Sequence, residues 1–208
     1  MYFRVISWIA TDRRKHDPRI HPKRHEEFRP RFADFMSTST STIEVTRTYL
    51  EMREPAALRP ARSNDPLVRI ELQPDCSVDL FRLLYREVGK NYYWTDRLPW
   101  TDQDIRAYLD QPSVSLWLMT YDGDTAGYFE LKKCEDGSTE IAYFGLIQKF
   151  IGRGLGKHLL TSAVEQAWAD GATRVWLHTC TDDDAAALPN YLTRGFKPYK
   201  TEKYTVNR

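Results

Sequence analysis

A change in the spacing of apolar residues between positions 140 and 171 constrains the fold more than any other feature of the sequence. Residues 140–146 read as a β-strand, and the turn Gly152-Arg153-Gly154-Leu155-Gly156 follows a few positions later. Between residues 155 and 168, apolar side chains recur at steps of three and four, which predicts a helix with one buried face, and Gly171 predicts its end. The chain is therefore expected to run from a strand, through a turn with three glycines, directly onto an amphipathic helix.

Weaker patterns on both sides of this junction predict the remaining elements. A short apolar segment at 68–72 extends or replaces the first strand in this interpretation. The acidic residues Asp182 to Asp184 are placed at the start of the last helix, and Pro189 within it indicates a kink or a later start. Antiparallel strands followed by strand–helix–strand–helix–strand predict an α/β fold with a mixed, mostly antiparallel sheet flanked by helices. Strands are expected at 43–50, 114–120, 125–132, 140–146, 174–180 and 203–206, and helices at 79–88, 102–110, 155–170 and 183–194.

The first 42 residues differ in composition from the rest of the chain. Arginine, lysine and histidine are dense between residues 11 and 35, and serine and threonine alternate from Ser37 to Thr42. These features predict a basic, disordered tail and linker at 1–42 and a folded domain at 43–208. The tail is either a basic arm for nucleic acid or anionic surfaces, or an extension without a role, and translation from Met36 would remove most of it.

Composition argues against several classes of function. The formal net charge is +1, whereas a dedicated nucleic-acid binder needs a large basic excess. The three cysteines are far apart and form no CxxC pair, so neither disulfides nor a zinc site is expected, and a cytoplasmic location fits. No apolar run approaches the roughly 18 residues that a membrane span requires, so no membrane association is expected.

The glycine turn is the clearest candidate for a binding site. Amides at a helix N-terminus lack hydrogen-bond partners and carry partial positive charge. Glycines let the backbone approach a ligand closely. Arg153 and Lys157 add positive charge beside the turn. This combination predicts a phosphate site. A Walker loop is excluded because no Gly-Lys-Ser/Thr follows, and a dinucleotide fingerprint fits poorly because the turn follows antiparallel strands. A turn that only permits close packing stays open as an alternative.

Two motifs in this region resemble those of a known family. Residues 140–196 resemble the GCN5-related N-acetyltransferases (GNAT), whose pyrophosphate-binding signature is Gln/Arg-x-x-Gly-x-Gly/Ala. Here the window begins with Ile151 instead of a polar residue, but both required glycines, Gly154 and Gly156, are present. Further along the chain, Tyr191 stands four positions before a Gly-Phe pair, as in the closing pattern of the family. The resemblance covers residues 67–208 and is weaker before residue 114.

The resemblance implies an acetyltransferase that uses acetyl-CoA as cosubstrate and no metal. The amine of the acceptor would attack the thioester directly, and Tyr191 would be the acid for the departing thiolate, unless it serves only for packing. Glu140 is the first candidate for the base and Glu130 the second, although either could be an ordinary carboxylate on a strand face. By the same resemblance, the cofactor would contact Phe144, Gly145, Leu146, Gly152, Arg153, Gly154, Leu155, Gly156 and Lys157.

No motif identifies the acceptor. The aromatic loop at 91–100 lies where the family places acceptor-binding elements, which favours a small-molecule amine with apolar groups, but a hydrophobic lid is equally compatible. His178 is expected to be a core histidine with satisfied hydrogen bonds, and a water relay is the alternative. A non-catalytic acyl-CoA-binding regulatory module is the main alternative function, and a nucleic-acid-associated protein that acts through its tail is a third. Dimers are common in the family, so the resemblance allows a homodimer.

Overall fold

The computed structural model describes residues 42–207 of the 208-residue chain. The predicted tail and linker lie outside the described residues, except for Thr42, which belongs to the first strand. In chain order the strands and α-helices are β1 (Thr42–Met52), β2 (Val68–Leu72), α1 (Val78–Gly89), α2 (Asp102–Leu109), β3 (Val114–Tyr121), β4 (Asp124–Lys133), β5 (Thr139–Leu146), α3 (Leu155–Ala169), β6 (Val175–Cys180), α4 (Ala187–Thr193) and β7 (Lys197–Asn207).

Within residues 42–207, the strands form one seven-stranded sheet in the order β2-β3-β4-β5-β6-β1-β7. Neighbouring strands pair antiparallel, except that β5 and β6, which α3 connects, run parallel. A single parallel pair is what a strand–helix–strand crossover produces when it is set into a sheet of hairpins. The prediction of a mixed, mostly antiparallel α/β fold is therefore confirmed.

Two predicted strands are placed differently in the structure. The segment β2 neither extends nor replaces β1, because it pairs with β3 at the opposite edge of the sheet. The last strand is longer than the predicted 203–206, because β7 pairs with almost the whole of β1 from Lys197 onward. Backbone pairing with a long neighbour thus extends a strand through residues that show no apolar alternation.

The last helix begins later than predicted. α4 starts at Ala187, which is one of the two outcomes that Pro189 indicated. The Asp183 carboxylate accepts hydrogen bonds from the Thr179 hydroxyl (2.6 Å) and from the Cys180 amide (2.8 Å). It therefore fixes the turn after β6, and the prediction that these acidic residues begin the helix was wrong.

The sheet buries two hydrophobic clusters, one on each face. Neighbouring residues of β4 belong to different clusters, since Phe129 packs with α3 and Tyr128 packs with α1 and α2. Adjacent side chains of a strand point to opposite faces, so α3 covers one face and α1 with α2 covers the other. The α3 face holds the periodic apolar residues that predicted this helix, of which Leu159, Leu160 and Ala163 are fully buried.

The parallel strands β5 and β6 separate soon after they meet. Their pairing is confined to Thr139 with Val175 and Glu140 with Trp176, although β5 continues to Leu146. Beyond Glu140, the β6-facing edge of β5 therefore has no strand beside it within the described residues. This opening between the two halves of the sheet is where the cavity lies.

Candidate active site

A cavity of about 1070 Å³ occupies the opening between β5 and β6. Its walls come from β5, from the glycine turn with the start of α3, from the aromatic loop between α1 and α2, and from β6 with the loop that follows it. Side chains of β1 and β7 also line the cavity. Ligand pockets for drug-sized molecules measure roughly 300–1,000 Å³, so this cavity has room for a long ligand.

The glycine turn adopts a backbone that favours glycine at two positions. Gly152 and Gly154 have φ angles of 83° and 76°, in the left-handed region that other residues rarely adopt. Gly154 is the residue before the first turn of α3, and no side chain caps that helix start. The first amides of α3 therefore have no side-chain acceptor, as an anion-binding helix start requires.

The predicted cofactor-binding residues divide into two groups. The larger group lies on the cavity wall and comprises Phe144, Gly145, Leu146, Gly152, Gly154, Gly156 and Lys157. Two residues lie elsewhere. The guanidinium of Arg153 stacks over the rings of Tyr121 and Phe150, at 5.5 and 5.3 Å, and the Leu155 side chain is buried in the α3 core. Leu155 thus has only its backbone amide available for the predicted role.

The end of β5 is shaped by its contact with α1. An added Cβ at Gly145 would lie 2.4 Å from the Val88 side chain, a distance that side chains do not tolerate. Glycine here lets α1 pack directly on the strand at the cavity wall. Glycine is needed at position 145 because α1 approaches the strand closely, whereas it is favoured at position 154 by the positive φ angle.

Tyr191, the predicted acid, lies on α4 and is buried against Phe144 and Phe196, with ring centroids 6.1 and 6.2 Å apart. It also forms part of the cavity wall. Burial raises the pKa of the phenol, with a further rise from the negative charge of Asp183. The hydroxyl is therefore protonated at neutral pH, as a proton donor must be, and the raised pKa also makes it a weaker acid than an exposed tyrosine.

Glu140, the first candidate for the base, lies on β5 at the last residue that pairs with β6. Burial raises its pKa, and the positive charge of Lys132 opposes the rise. A carboxylate with a raised pKa is a stronger base than an exposed one. His178 lies beside it, with 3.8 Å between Nδ1 of the ring and Oε1 of the carboxylate. His178 lines the cavity, so its expected place in the core was wrong.

Glu130, the second candidate for the base, is fully buried in an ion pair. Its two carboxylate oxygens accept hydrogen bonds from the Arg97 guanidinium, at 2.7 and 2.8 Å, and one of them also accepts from the Tyr108 hydroxyl. Burial alone would lower the pKa of Arg97, but hydrogen bonding to Glu130 and its charge raise it. With its oxygens engaged in this way, Glu130 is the counterion of Arg97.

This ion pair anchors the aromatic loop between α1 and α2. The Arg97 guanidinium lies over the rings of Tyr143, Tyr108 and Trp100, at 4.0, 4.3 and 4.9 Å. From this anchor the loop presents further aromatic side chains to the cavity, which are Tyr92, Tyr93 and Trp94. The sequence offered one signal for the pair, a glutamate that stands between the apolar residues Phe129 and Leu131 of β4.

The loop also reaches across the mouth of the cavity. The Tyr92 hydroxyl donates a hydrogen bond of 3.0 Å to the Asp184 carboxylate, in the loop after β6. These residues are far apart in the sequence, and no local pattern links them. The contact shows that the two loops that flank the cavity touch each other.

A group on β1, β6 and β7 was missed by the sequence analysis. The Arg47 guanidinium lies 5.2 Å from the centre of the Tyr204 ring, and the Cys180 sulfur is 3.5 Å from the Tyr204 hydroxyl. All three residues line the cavity. Arg47 is far from Cys180 and Tyr204 in the sequence, so the pairing of β1 with β6 and β7 brings the three side chains together.

Two general features concern the described residues alone. No group of three or more histidine, cysteine, aspartate or glutamate side chains there is arranged to hold a metal ion. None of the helices between residues 42 and 207 is long and apolar enough to cross a membrane.

A family profile described as the acetyltransferase (GNAT) family matches residues 80–196, which is more than half of the chain. The matched segment includes the aromatic loop, β5, the glycine turn and Tyr191. No curated protein matches the sequence.

Several solved structures share the fold. A conserved protein of unknown function from Staphylococcus epidermidis ATCC 12228 is 17% identical with a TM-score of 0.59, over 80% of this chain and 62% of that one. A GCN5-related N-acetyltransferase from Kribbella flavida is 24% identical with a TM-score of 0.57, over 80% and 59%. This chain thus spans about three fifths of the length of these two proteins.

A third similar structure is an aminoglycoside acetyltransferase from an uncultured soil metagenomic sample, solved in complex with sisomicin. It is 15% identical with a TM-score of 0.53, over 64% of this chain and 90% of that one. At such identities these structures establish the fold and nothing further.

Proposed function

Because this chain belongs to the acetyltransferase (GNAT) family, we propose that it transfers an acetyl group from acetyl-CoA to the primary amine of a small molecule. The profile match confirms the family inferred from the two sequence motifs, and it agrees with the predicted class of enzyme, an acyltransferase. The cosubstrate, the amine and the roles of individual residues belong to the proposal.

One observation carries the proposal. The same cavity contains an uncapped helix start with a glycine turn and the unpaired edge of β5. The helix start suits a pyrophosphate, to which Lys157 adds a positive charge. The unpaired strand edge suits an extended chain that carries amides, because its backbone groups need hydrogen-bond partners. Coenzyme A has both parts in this order, so the residues present fit it.

The remainder of the cavity suits the acceptor. The aromatic loop contributes Tyr92, Tyr93 and Trp94, and carboxylates such as Asp96 lie on the same wall. Aromatic faces and carboxylates both attract ammonium groups. A small-molecule amine with apolar parts is therefore the acceptor that we propose.

The chemical roles follow from position and charge. The cavity holds the amine and the thioester together, which replaces an encounter in solution by a reaction within one complex. Glu140 is the base in the cavity for removal of a proton from the ammonium. Tyr191 donates its proton to the departing thiolate. Direct attack of the amine requires no covalent enzyme intermediate.

The proposal is tested by two measurements on the same protein. Calorimetry with acetyl-CoA should show binding, and a thiol-release assay over a panel of primary amines should show turnover with at least one of them. Absence of acetyl-CoA binding at millimolar concentration would refute the proposal.

A second candidate, a non-catalytic acyl-CoA-binding regulatory module, is favoured by one observation. The family signature begins with glutamine or arginine, whereas Ile151 stands at this position and lines the cavity with an apolar side chain. Acetyl-CoA binding without thiol release on any amine would support this module. The predicted homodimer and cytoplasmic location stay predictions, of which light scattering tests the first.

A further inference from the structure

Glu140 and His178 lie side by side where β5 and β6 separate. The parallel register pairs Glu140 with Trp176, so their side chains point to the same face of the sheet. His178 lies two residues after Trp176 and therefore occupies the next position on this face. Both Glu140 and His178 line the cavity.

The His178 ring is held in place from the neighbouring strand. Tyr49 is its Cα partner on β1, and the two ring centroids are 5.7 Å apart. The Tyr49 hydroxyl in turn donates a hydrogen bond of 2.7 Å to the Glu202 carboxylate on β7. On the other side of the imidazole, Nδ1 is the ring nitrogen 3.8 Å from Glu140. This contact is longer than a hydrogen bond, and Nε2 is the ring nitrogen that it does not involve.

His178 is also the more accessible member of the pair. Its side chain is 33% exposed, whereas that of Glu140 is 17% exposed. An ammonium group that enters the cavity can therefore reach the ring more readily than the carboxylate. A carboxylate behind an imidazole is the usual arrangement by which the ring is oriented and its protonated form is stabilised.

Burial and charged groups on neighbouring segments shift the pKa of His178. Burial lowers its pKa, and the positive charge of Arg47 on β1 lowers it further. Opposing them are the carboxylates of Asp183 after β6, Asp96 in the aromatic loop and Glu202 on β7. Since the lowering effects prevail, the ring is neutral at neutral pH and is able to accept a proton.

We propose that His178 is the residue that accepts the proton of the acceptor ammonium, and that Glu140 is the positioning residue that orients the ring. This inference rests on the proposed acetyl transfer, and it replaces Glu140 as the group that meets the amine. In the step, the N–H bond of the ammonium breaks and an Nε2–H bond forms. The freed lone pair of the amine bonds to the carbonyl carbon, and the C–S bond breaks. The thiolate takes the hydroxyl proton of Tyr191, and the acylated nitrogen gives up its second proton, which restores that hydroxyl. His178 then releases its proton to solvent.

The first test compares His178→Gln with the wild-type enzyme on the best amine of the panel. We expect kcat to fall by about 10²-fold or more, as is typical for the loss of a general base, with the affinity for acetyl-CoA unchanged by calorimetry. The acidic limb of the wild-type kcat/KM profile, which reports protonation of the ring, should disappear. Retained acetyl-CoA affinity also shows that the variant is folded.

A matched control is available on α3. His158→Gln makes the same substitution at a histidine that does not line the cavity, so we expect its kcat and pH profile to match those of the wild type. A wild-type rate and acidic limb in His178→Gln would overturn the inference and leave the proposed function standing. A wild-type enzyme that binds acetyl-CoA but acetylates no amine would refute the function, and the inference with it.

The second test needs no substrate. Nuclear magnetic resonance of ring-labelled histidine should give His178 a pKa below that of a free imidazole, with Nε2 unprotonated in the neutral ring. Glu140→Gln removes a neighbouring negative charge and should lower this pKa further. An unchanged pKa in Glu140→Gln would show that the carboxylate does not act on the ring, and would overturn the positioning role.

Discussion

Removal of the Arg97 charge should be among the most destabilising single substitutions in this protein. The guanidinium and its partner Glu130 have side-chain exposures of 6% and 0%, and their hydrogen bonds measure 2.7 and 2.8 Å. Arg97→Met keeps an apolar chain of similar length and leaves the Glu130 carboxylate with Tyr108 as its remaining partner. An unpaired buried charge of this kind costs about 3–5 kcal/mol of the free energy of unfolding.

The loss should be measured by urea denaturation and by thermal melting. In a domain of this size, each kcal/mol lowers Tm by about 2–4 °C, so we expect Tm to fall by roughly 6–20 °C.

An exposed ion pair of the same length provides the control. Lys149 and Asp124 are also 2.7 Å apart, but their side chains are 59% and 67% exposed. Lys149→Met should therefore change the free energy of unfolding by less than about 1 kcal/mol. Equal losses from the two methionine variants would refute the reasoning, because burial would then have no effect. The double variant Arg97→Met/Glu130→Met should recover part of the loss, since no charge is left unpaired.

Three further predictions concern the cavity. Gly154→Glu should abolish acetyl-CoA binding in calorimetry, because it places a side chain and a negative charge at the start of α3. The substitution also disfavours the φ angle of 76° at this position. Retained binding would exclude the turn as the pyrophosphate site. Lys157→Ala should weaken acetyl-CoA binding about 10–100-fold, as expected for the loss of one charged hydrogen bond. Arg153→Ala should weaken it less, because Arg153 does not line the cavity. A larger effect of Arg153→Ala than of Lys157→Ala would contradict this geometry. Tyr191→Phe should lower kcat with little change in the acetyl-CoA affinity, and an unaltered rate would remove Tyr191 as the acid.

The sequence predicted the elements whose signals are local. The period of apolar residues that predicts α3 lies within one helix, and the glycine turn lies within five consecutive residues. Partners in the sheet are not encoded in this way. The segment β2 has the composition of a strand, but nothing in residues 68–72 indicates that β3 is its neighbour.

The contents of the site were harder to predict for a related reason. His178 stands in an apolar strand, and an alternating pattern does not reveal whether a helix or a cavity covers a given face. Glu130 was the second candidate for the base after Glu140, because both are carboxylates on strands that follow each other in the sequence. The difference is made by Arg97, which comes from a loop and packs against Glu130 in the folded chain.

The short contact between β5 and β6 divides the sheet into two panels. Strands β2 to β5 form one panel and β6, β1 and β7 the other, and the backbone joins them through two residue pairs. A ligand whose amides bond to the free edge of β5 would act as a partial eighth strand between the panels. A bound ligand would then connect the two panels through hydrogen bonds. The free energy of unfolding of the second panel would therefore increase with the concentration of the acyl donor.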